Sequence, residues 1–268
     1  MTRASKCAHR DSALKLHRRG AIGVVSIASP GGNSDAILQF PVNGMPVAVS
    51  YLRIGVGPHS TAPTGKGGIR NSAKRESYGL NAKQVAKLRA ATAHAEAISL
   101  PFTRMVTIHW MAAGVPLCAM PKATGRFIDL LTKALRRHGS ATAWIWVHEN
   151  GDSKGGHCHL LVHVPAALVQ VVTRLQKGWL RRITGQPYRP RVILSKPIGG
   201  RLGLELSNPD LHAANLSTVQ SYLLKGASEA ASARCGLHRL EPGGRVIGKR
   251  CGISQNISAK ARSERRTG

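Results

Sequence analysis

The chain has 268 residues and carries 39 Lys and Arg against 12 Asp and Glu, a formal charge of +27 that makes nucleic acid or an anionic membrane surface its natural partner. No run approaches the ~18 consecutive apolar residues of a spanning helix, which sets the membrane reading aside. Three Phe, four Trp and four Tyr are too few for a broad base-stacking platform, so contacts with nucleic acid are expected to run through phosphates and basic side chains.

Residues 1 to about 80 are rich in Gly, Pro and Ser, with clustered basic residues (Lys15, Arg18, Arg19; Lys66, Arg70, Lys74, Arg75). Ile22 to Ile27 and Val47 to Val56 have the composition of short strands, but the turn residues between them fix no topology. Met1 to Lys6 is basic, and no compact apolar stretch with a cleavage site follows, so no signal peptide is expected. Asn81 reads as the N-cap of a helix through Val85, Leu88 and Ala91.

From Pro101 regular elements alternate. Met105 to Trp110 reads as a strand, and Phe127, Leu130, Leu131 and Leu135 recur at helical spacing up to Gly139. Ala143 to Glu149 and His157 to Val164 read as strands joined by a turn over 150–156. A helix from Ala166 to about Ile183 and a short strand from Arg191 to Leu194 follow. Asn215 or Ser217 is the expected cap of a last helix carrying Val219, Tyr222, Leu223 and Lys225, ended by Gly226. A hairpin-length link at 150–156 favours an α+β fold on a central antiparallel sheet with flanking helices. Residues 1–98 then form a basic Gly/Pro-rich region ending in a helix, 99–230 a domain of regular elements, and 231–268 a basic extension. The last 35 residues hold nine Lys and Arg. Five cysteines (Cys7, Cys118, Cys158, Cys235, Cys251) form no Cys-x-x-Cys pair, which argues against a disulfide framework or a zinc ribbon and for a reducing cytoplasm.

The chemistry-bearing residues start with His157-Cys158-His159. Alternation along a strand puts both imidazoles on one face. If 150–156 is the loop, Glu149 pairs across from His157 and Val147 from His159, with opposed Cβ atoms ~4.5–5.5 Å apart and the Glu149–His159 diagonal at ~7–8 Å. One carboxylate and two imidazoles then bracket a divalent metal with positions open for phosphate oxygens and water. A one-residue slip moves Glu149 off that face. The same residues equally describe two packed or solvent-facing histidines and a turn glutamate. His163, next along the face, reads as an accessory ligand or a packing residue.

Tyr222 and Lys225, three apart on a predicted helix, share one side of it. A phenol with an ordinary pKa of ~10 is a poor nucleophile, but beside a metal-bound phosphate and an ammonium it can attack phosphorus. The plain alternative is an amphipathic helix with Tyr222 half-buried and Lys225 near its C-terminal dipole.

Taken in order, Met105-Val106-Thr107-Ile108, Glu149 with His157-Cys158-His159, and Tyr222-Leu223-Leu224-Lys225 resemble the three motifs of the HUH endonuclease superfamily, specifically its single-tyrosine rolling-circle replication initiators of bacterial plasmids and phages. The resemblance covers about residues 101–230, and Gly248 to Ile257 is also similar to plasmid initiators. It implies a divalent metal (Mn²⁺ or Mg²⁺) held by His157, His159 and Glu149, with Tyr222 as nucleophile and Lys225 beside it. It further implies origin DNA as substrate, nicked as a single strand or in a supercoil and rejoined through a 5′-phosphotyrosine link. Thr107 in the first motif is expected to help position DNA, and Arg181, Arg182, Lys249 and Arg250 are expected phosphate contacts. The first motif lacks the aromatic residue that many relatives carry.

Relaxases place their tyrosine before the histidine pair, and the small transposases of the superfamily usually have shorter chains. Either remains an alternative, as does a basic nucleic-acid-binding protein without catalysis. Gly65-Lys66-Gly67 and Gly248-Lys249-Arg250 lack the Gly spacing and the Ser or Thr of a phosphate-binding loop, so no nucleotide site is expected. Strand separation then falls to supercoiling or a host helicase, and synthesis to a host polymerase.

Overall fold

The computed structural model of the protein describes residues 74–267. The two N-terminal strands read from composition, and the basic residues Lys15 to Arg70, lie outside the described residues. In chain order the elements are β1 (Glu76–Ser77), α1 (Ala82–Ala97), β2 (Arg104–Ile108), α2 (Met120–Arg137), β3 (Trp144–Gly151), β4 (Gly155–Val162) and α3 (Val169–Thr184). They continue through β5 (Ile193–Pro197), α4 (Leu204–Ser207), α5 (Pro209–Leu224), α6 (Glu229–Cys235), β6 (Val246–Ile247), β7 (Cys251–Ile253) and α7 (Ala259–Thr267). A five-stranded antiparallel sheet runs β5-β2-β4-β3-β7, and β1 pairs with β6 alongside. This is the α+β architecture that the hairpin-length connection predicts. Among the described residues no helix is long and apolar enough to cross a membrane.

The sheet is a middle layer. One face, built on Val106, Ile108, Trp146, Cys158 and Leu160, packs on α2 and α3 through Phe127, Leu131, Leu135, Val172 and Trp179. The other, with Ile145, Val147 and Leu161, packs on α1 and α5 through Val85, Leu88, Leu216 and Leu223. With helices on both sides, β4 is buried along nearly its whole length, its two histidines included.

Local signals set most boundaries. Asn81 accepts the Gln84 N–H at 2.9 Å while the Gln84 side chain accepts the Asn81 N–H at 2.9 Å, a complete capping box. α5 starts earlier than predicted: Asn208 is the cap, accepting from the Leu211 N–H at 3.0 Å, with Pro209 in the first turn. An Asn-Pro pair outranks Asn215 and Ser217 because proline at the first position gives up no hydrogen bond. The β3–β4 loop is also shorter than seven residues. Both strands extend symmetrically to Gly151 and Gly155, and Gly155 takes the left-handed φ of 60° that a three-residue hairpin loop calls for.

Residues 231–268, read as a basic extension, build structure. Cys251–Ile253 is the fifth strand of the sheet, pairing with Ile145–Val147. A strand this short is lost in a basic composition. Gly252 allows it to lie against the Trp146 indole, where a Cβ would come within 2.5 Å of the ring nitrogen.

The same stretch supplies an internal clasp. Arg250 is 2 % exposed. It donates from Nε to Ser77 Oγ at 2.9 Å and from its Nη atoms to the carbonyls of Ser77, His148, Gly243 and Gly244. Burial brings its pKa down to about 10, still protonated at neutral pH. Nearby, Trp110 Nε1–H donates to Thr124 Oγ1, which bonds His148 Nε2 at 2.8 Å, and His148 Nδ1–H donates to the Lys249 carbonyl. His148 stays neutral: burial pushes its pKa down to about 3. Arg250→Ala takes a donor from four carbonyls, of which Gly243 keeps the Asn150 N–H, and is expected to lower the unfolding free energy by about 3 kcal/mol in urea titrations. A loss below about 1 kcal/mol, the scale of an ordinary surface change, would contradict the clasp.

Candidate metal and nucleophile site

The β3–β4 register is the predicted one, with Glu149 opposite His157 and Val147 opposite His159. Glu149, His157 and His159 therefore share the sheet face that α1 and α5 cover. All three are buried, between 2 and 5 % exposed. Their ligand atoms lie within 4.8 Å of one another, so the group could hold a metal ion. Glu149 Oε2 is 3.3 Å from His157 Nε2 and 3.5 Å from His159 Nε2.

The outer ring nitrogens are fixed by neighbours. His157 Nδ1–H donates to the Gly155 carbonyl at 2.8 Å, which leaves the Nε2 lone pair turned inward. His159 Nδ1 bonds Thr107 Oγ1 at 3.0 Å across the β2–β4 pairing, in which Thr107 opposes His159. Within the site two buried atoms, His159 Nε2 and Glu149 Oε1, have no hydrogen-bond partner. Buried polar atoms are seldom left so. The inward lone pair of His157, the unpartnered Nε2 of His159 and an unpartnered carboxylate oxygen form a donor set that fits a small divalent cation.

Helix α5 brings the other half of the site. Its last turn sets the Tyr222 ring edge-on to His159, with centroids 5.1 Å apart. Just beyond it, Lys225 Nζ lies 2.6 Å from Glu149 Oε2 and 2.9 Å from Glu241 Oε2. Burial works to raise the Glu149 pKa, but the two histidines and the Lys225 ammonium outweigh it and hold the carboxyl well below the usual range. Burial likewise works to lower the Lys225 pKa, and its two carboxylate partners push it above its ordinary value. The Tyr222 phenol is raised, first by burial and further by Glu149 and Glu241, while Lys225 and Arg239 pull against this. Lys225 engages Oε2, the oxygen that also faces both imidazoles, and Oε1 has no hydrogen-bond partner.

Of the residues singled out in the sequence, Glu149, His157, His159, Tyr222 and Lys225 come together. Thr107 joins them as a buttress to His159. Arg181 and Arg182 are exposed at the end of α3, on the opposite side of the sheet. Lys249 is also exposed there, 5.7 Å above the Trp146 ring. Arg250, expected as a phosphate contact, is instead buried, with its donors committed to the Ser77 hydroxyl and to backbone carbonyls. His163 turns away and donates from Nδ1 to the Pro101 carbonyl at 2.7 Å.

Three neighbours escaped the sequence reading. His109 lies 5.7 Å from His157 between ring centroids, its pKa pushed down by burial and then by His157 and His159. Its signal was present: it falls two residues after Thr107, on the same face of the strand. Arg239 and Glu241 belong to an irregular segment and had no periodic signal. Arg239 sits over the Tyr222 ring at 4.9 Å and donates to Glu241 Oε1.

Thr107→Val removes the bond to His159 Nδ1 while keeping the side-chain volume. Isothermal titration with Mn²⁺ is expected to show affinity weaker by about tenfold, and Glu149→Gln to show larger loss. Unchanged affinity in both variants would remove the triad as a metal site.

Comparison of the chain with protein-family models, curated proteins and solved structures gives no match, so the functional reading rests on the residues and their geometry.

Proposed function

We propose that the protein nicks and rejoins origin DNA to begin rolling-circle replication, with Tyr222 as nucleophile, as in the HUH endonucleases that its motifs resemble. One observation carries the reading. Groups from two distant stretches of chain meet over one patch of sheet: Glu149 and the histidine pair from the β3–β4 hairpin, and Tyr222 with Lys225 from the end of α5. Packing alone needs no such assembly of an ammonium, a carboxylate, two imidazoles and a phenol. Coupled burial of this kind marks functional sites.

Two imidazoles and a carboxylate suit Mn²⁺, Mg²⁺ is the more available ion, and either one when bound supplies Lewis-acid polarisation of a scissile phosphodiester. Glu149, His157 and His159 are the residues that would hold it. Tyr222 Oη attacks phosphorus and forms the new P–O bond as the bond from phosphorus to the 3′ oxygen breaks. The phenol proton is lost to solvent, and the departing 3′ oxygen takes up a proton to become a free 3′-OH. The 5′ strand end stays joined to tyrosine. A phenol raised above its ordinary pKa is protonated at rest, so its proton leaves as attack proceeds rather than before it. Lys225, 5.1 Å from the Tyr222 ring, offsets the charge that develops on phenolate and phosphate. One phosphodiester is exchanged for another, so the same groups can reseal the strand.

The charge of +27 supports a DNA substrate held through phosphates, with affinity falling steeply as salt rises. Lys249, Arg181 and Arg182, on the face away from the site, suit flanking DNA. Host helicase and polymerase complete the process.

Tyr222→Phe is expected to retain DNA binding and to lose both nicking of a supercoiled plasmid carrying its origin and the covalent tyrosine adduct mapped by mass spectrometry. Lys225→Met is expected to slow nicking about a hundredfold. EDTA is expected to stop cleavage and Mn²⁺ to restore it. Nicking by Tyr222→Phe at the parental rate would overturn the assignment.

A further inference from the structure

Lys225 has two carboxylate partners of different kinds. Glu149 is buried, with a side chain 2 % exposed, and its pair with Lys225 is closed to water. Glu241 is 43 % exposed, and its second partner, Arg239, is 53 % exposed. Buried pairs are hard to break, whereas half-exposed pairs are held weakly. The outer carboxylate is thus the exchangeable one.

Its position is informative. Glu241 Oε2 meets Lys225 Nζ at 2.9 Å, and Oε1 accepts from Arg239 Nε at 3.1 Å and Nη2 at 2.7 Å. Both cations also flank the Tyr222 ring, at 5.1 and 4.9 Å. An accessible anion therefore sits between an ammonium and a guanidinium beside the candidate nucleophile. The backbone beneath it is anchored independently, since the Glu241 N–H donates to the Lys225 carbonyl and the Asn150 N–H to the Gly243 carbonyl. The side chain can leave while the segment stays.

Resting on the nicking reading, we infer that Arg239 and Lys225 form a phosphate cradle beside Tyr222, and that the Glu241 carboxylate holds its place until a backbone phosphate of single-stranded DNA displaces it. The exchange is one anion for another, so neither cation is left unpaired. A guanidinium fork matches a phosphate as well as it matches a carboxylate. Arg239 is then a substrate-contacting residue contributed from outside the three motifs.

The test is fluorescence anisotropy of the full chain carrying Tyr222→Phe, with EDTA present, against a fluorescein-labelled oligo(dT) over a range of salt. Adding Arg239→Ala is expected to weaken binding about tenfold, the scale of a lost charge-assisted hydrogen bond. It should also flatten the slope of log affinity against log salt by about 0.7, the value of one phosphate contact on a single strand. Arg239→Lys should restore the slope and part of the affinity. Glu241→Gln should tighten binding about two- to fivefold, the range of a half-exposed ion pair, and lose that gain when combined with Arg239→Ala. Affinity that Glu241→Gln leaves unchanged or weakened, or a salt slope that Arg239→Ala does not move, overturns the cradle. Should Glu241→Gln fail to fold by circular dichroism, the Arg239→Ala slope decides alone. Anisotropy reads binding and not cleavage. Tighter binding by Glu241→Gln together with no covalent adduct from the parent chain would keep the cradle and overturn the nicking reading. An adduct with unchanged Glu241→Gln affinity would do the reverse.

Discussion

A carboxylate enclosed by a sheet and a helix stays ionised only if cations or hydrogen-bond donors meet it, because the desolvation of a lone charge is prohibitive. Glu149 meets that demand through Lys225, at 2.6 Å from Oε2, with the two imidazoles beside it. The consequence reaches beyond the pair. Lys225 follows directly on α5, so the ion pair fixes the end of that helix over the sheet and with it Tyr222 against His159. Glu241 meets the other side of the same ammonium, while the segment returning from α6 is anchored by the Glu241 N–H on the Lys225 carbonyl.

That arrangement depends on the β3–β4 register. The hairpin is longer in strand and shorter in loop than its composition suggests, yet adding residues to both strands in equal number leaves every pairing unchanged. Gly155 serves twice, closing the turn with a left-handed φ and offering its carbonyl to His157 Nδ1. A slip of one residue in β3 would carry Glu149 to the face packed by α2 and α3, where Cys158 and Trp146 now lie, and part it from the two histidines.

The neighbours of the triad are graded in purpose. Thr107 and Gly155 orient imidazoles, Lys225 balances the carboxylate, and Arg239 with Glu241 forms the accessible rim over the tyrosine. Arg250 works at a greater distance. By gathering the carbonyls of Ser77, His148, Gly243 and Gly244, it ties β3 to the loop that carries Glu241. A strongly basic sequence thus contains arginines of unlike function, which charge counting cannot separate.

The sequence by itself determined β2, β3 and β4, the capped helix at Asn81, the antiparallel class and the pairing of Glu149 with His157, because alternation, capping and hairpin geometry are local rules. It also identified Tyr222 and Lys225 as a pair, because residues three apart on a helix share a side. Tertiary structure alone decided what those pairs meet. The start of α5 at Asn208, the fifth strand at Cys251–Ile253 and the burial of Arg250 all follow from packing between segments far apart in the chain. His109 was legible as the next residue on the Thr107 face, but its approach to His157 required the β2–β4 pairing. Arg239 and Glu241 carry no period and no motif. Their place over Tyr222 follows from the return of the chain from α6, held there by backbone hydrogen bonds and by Arg250.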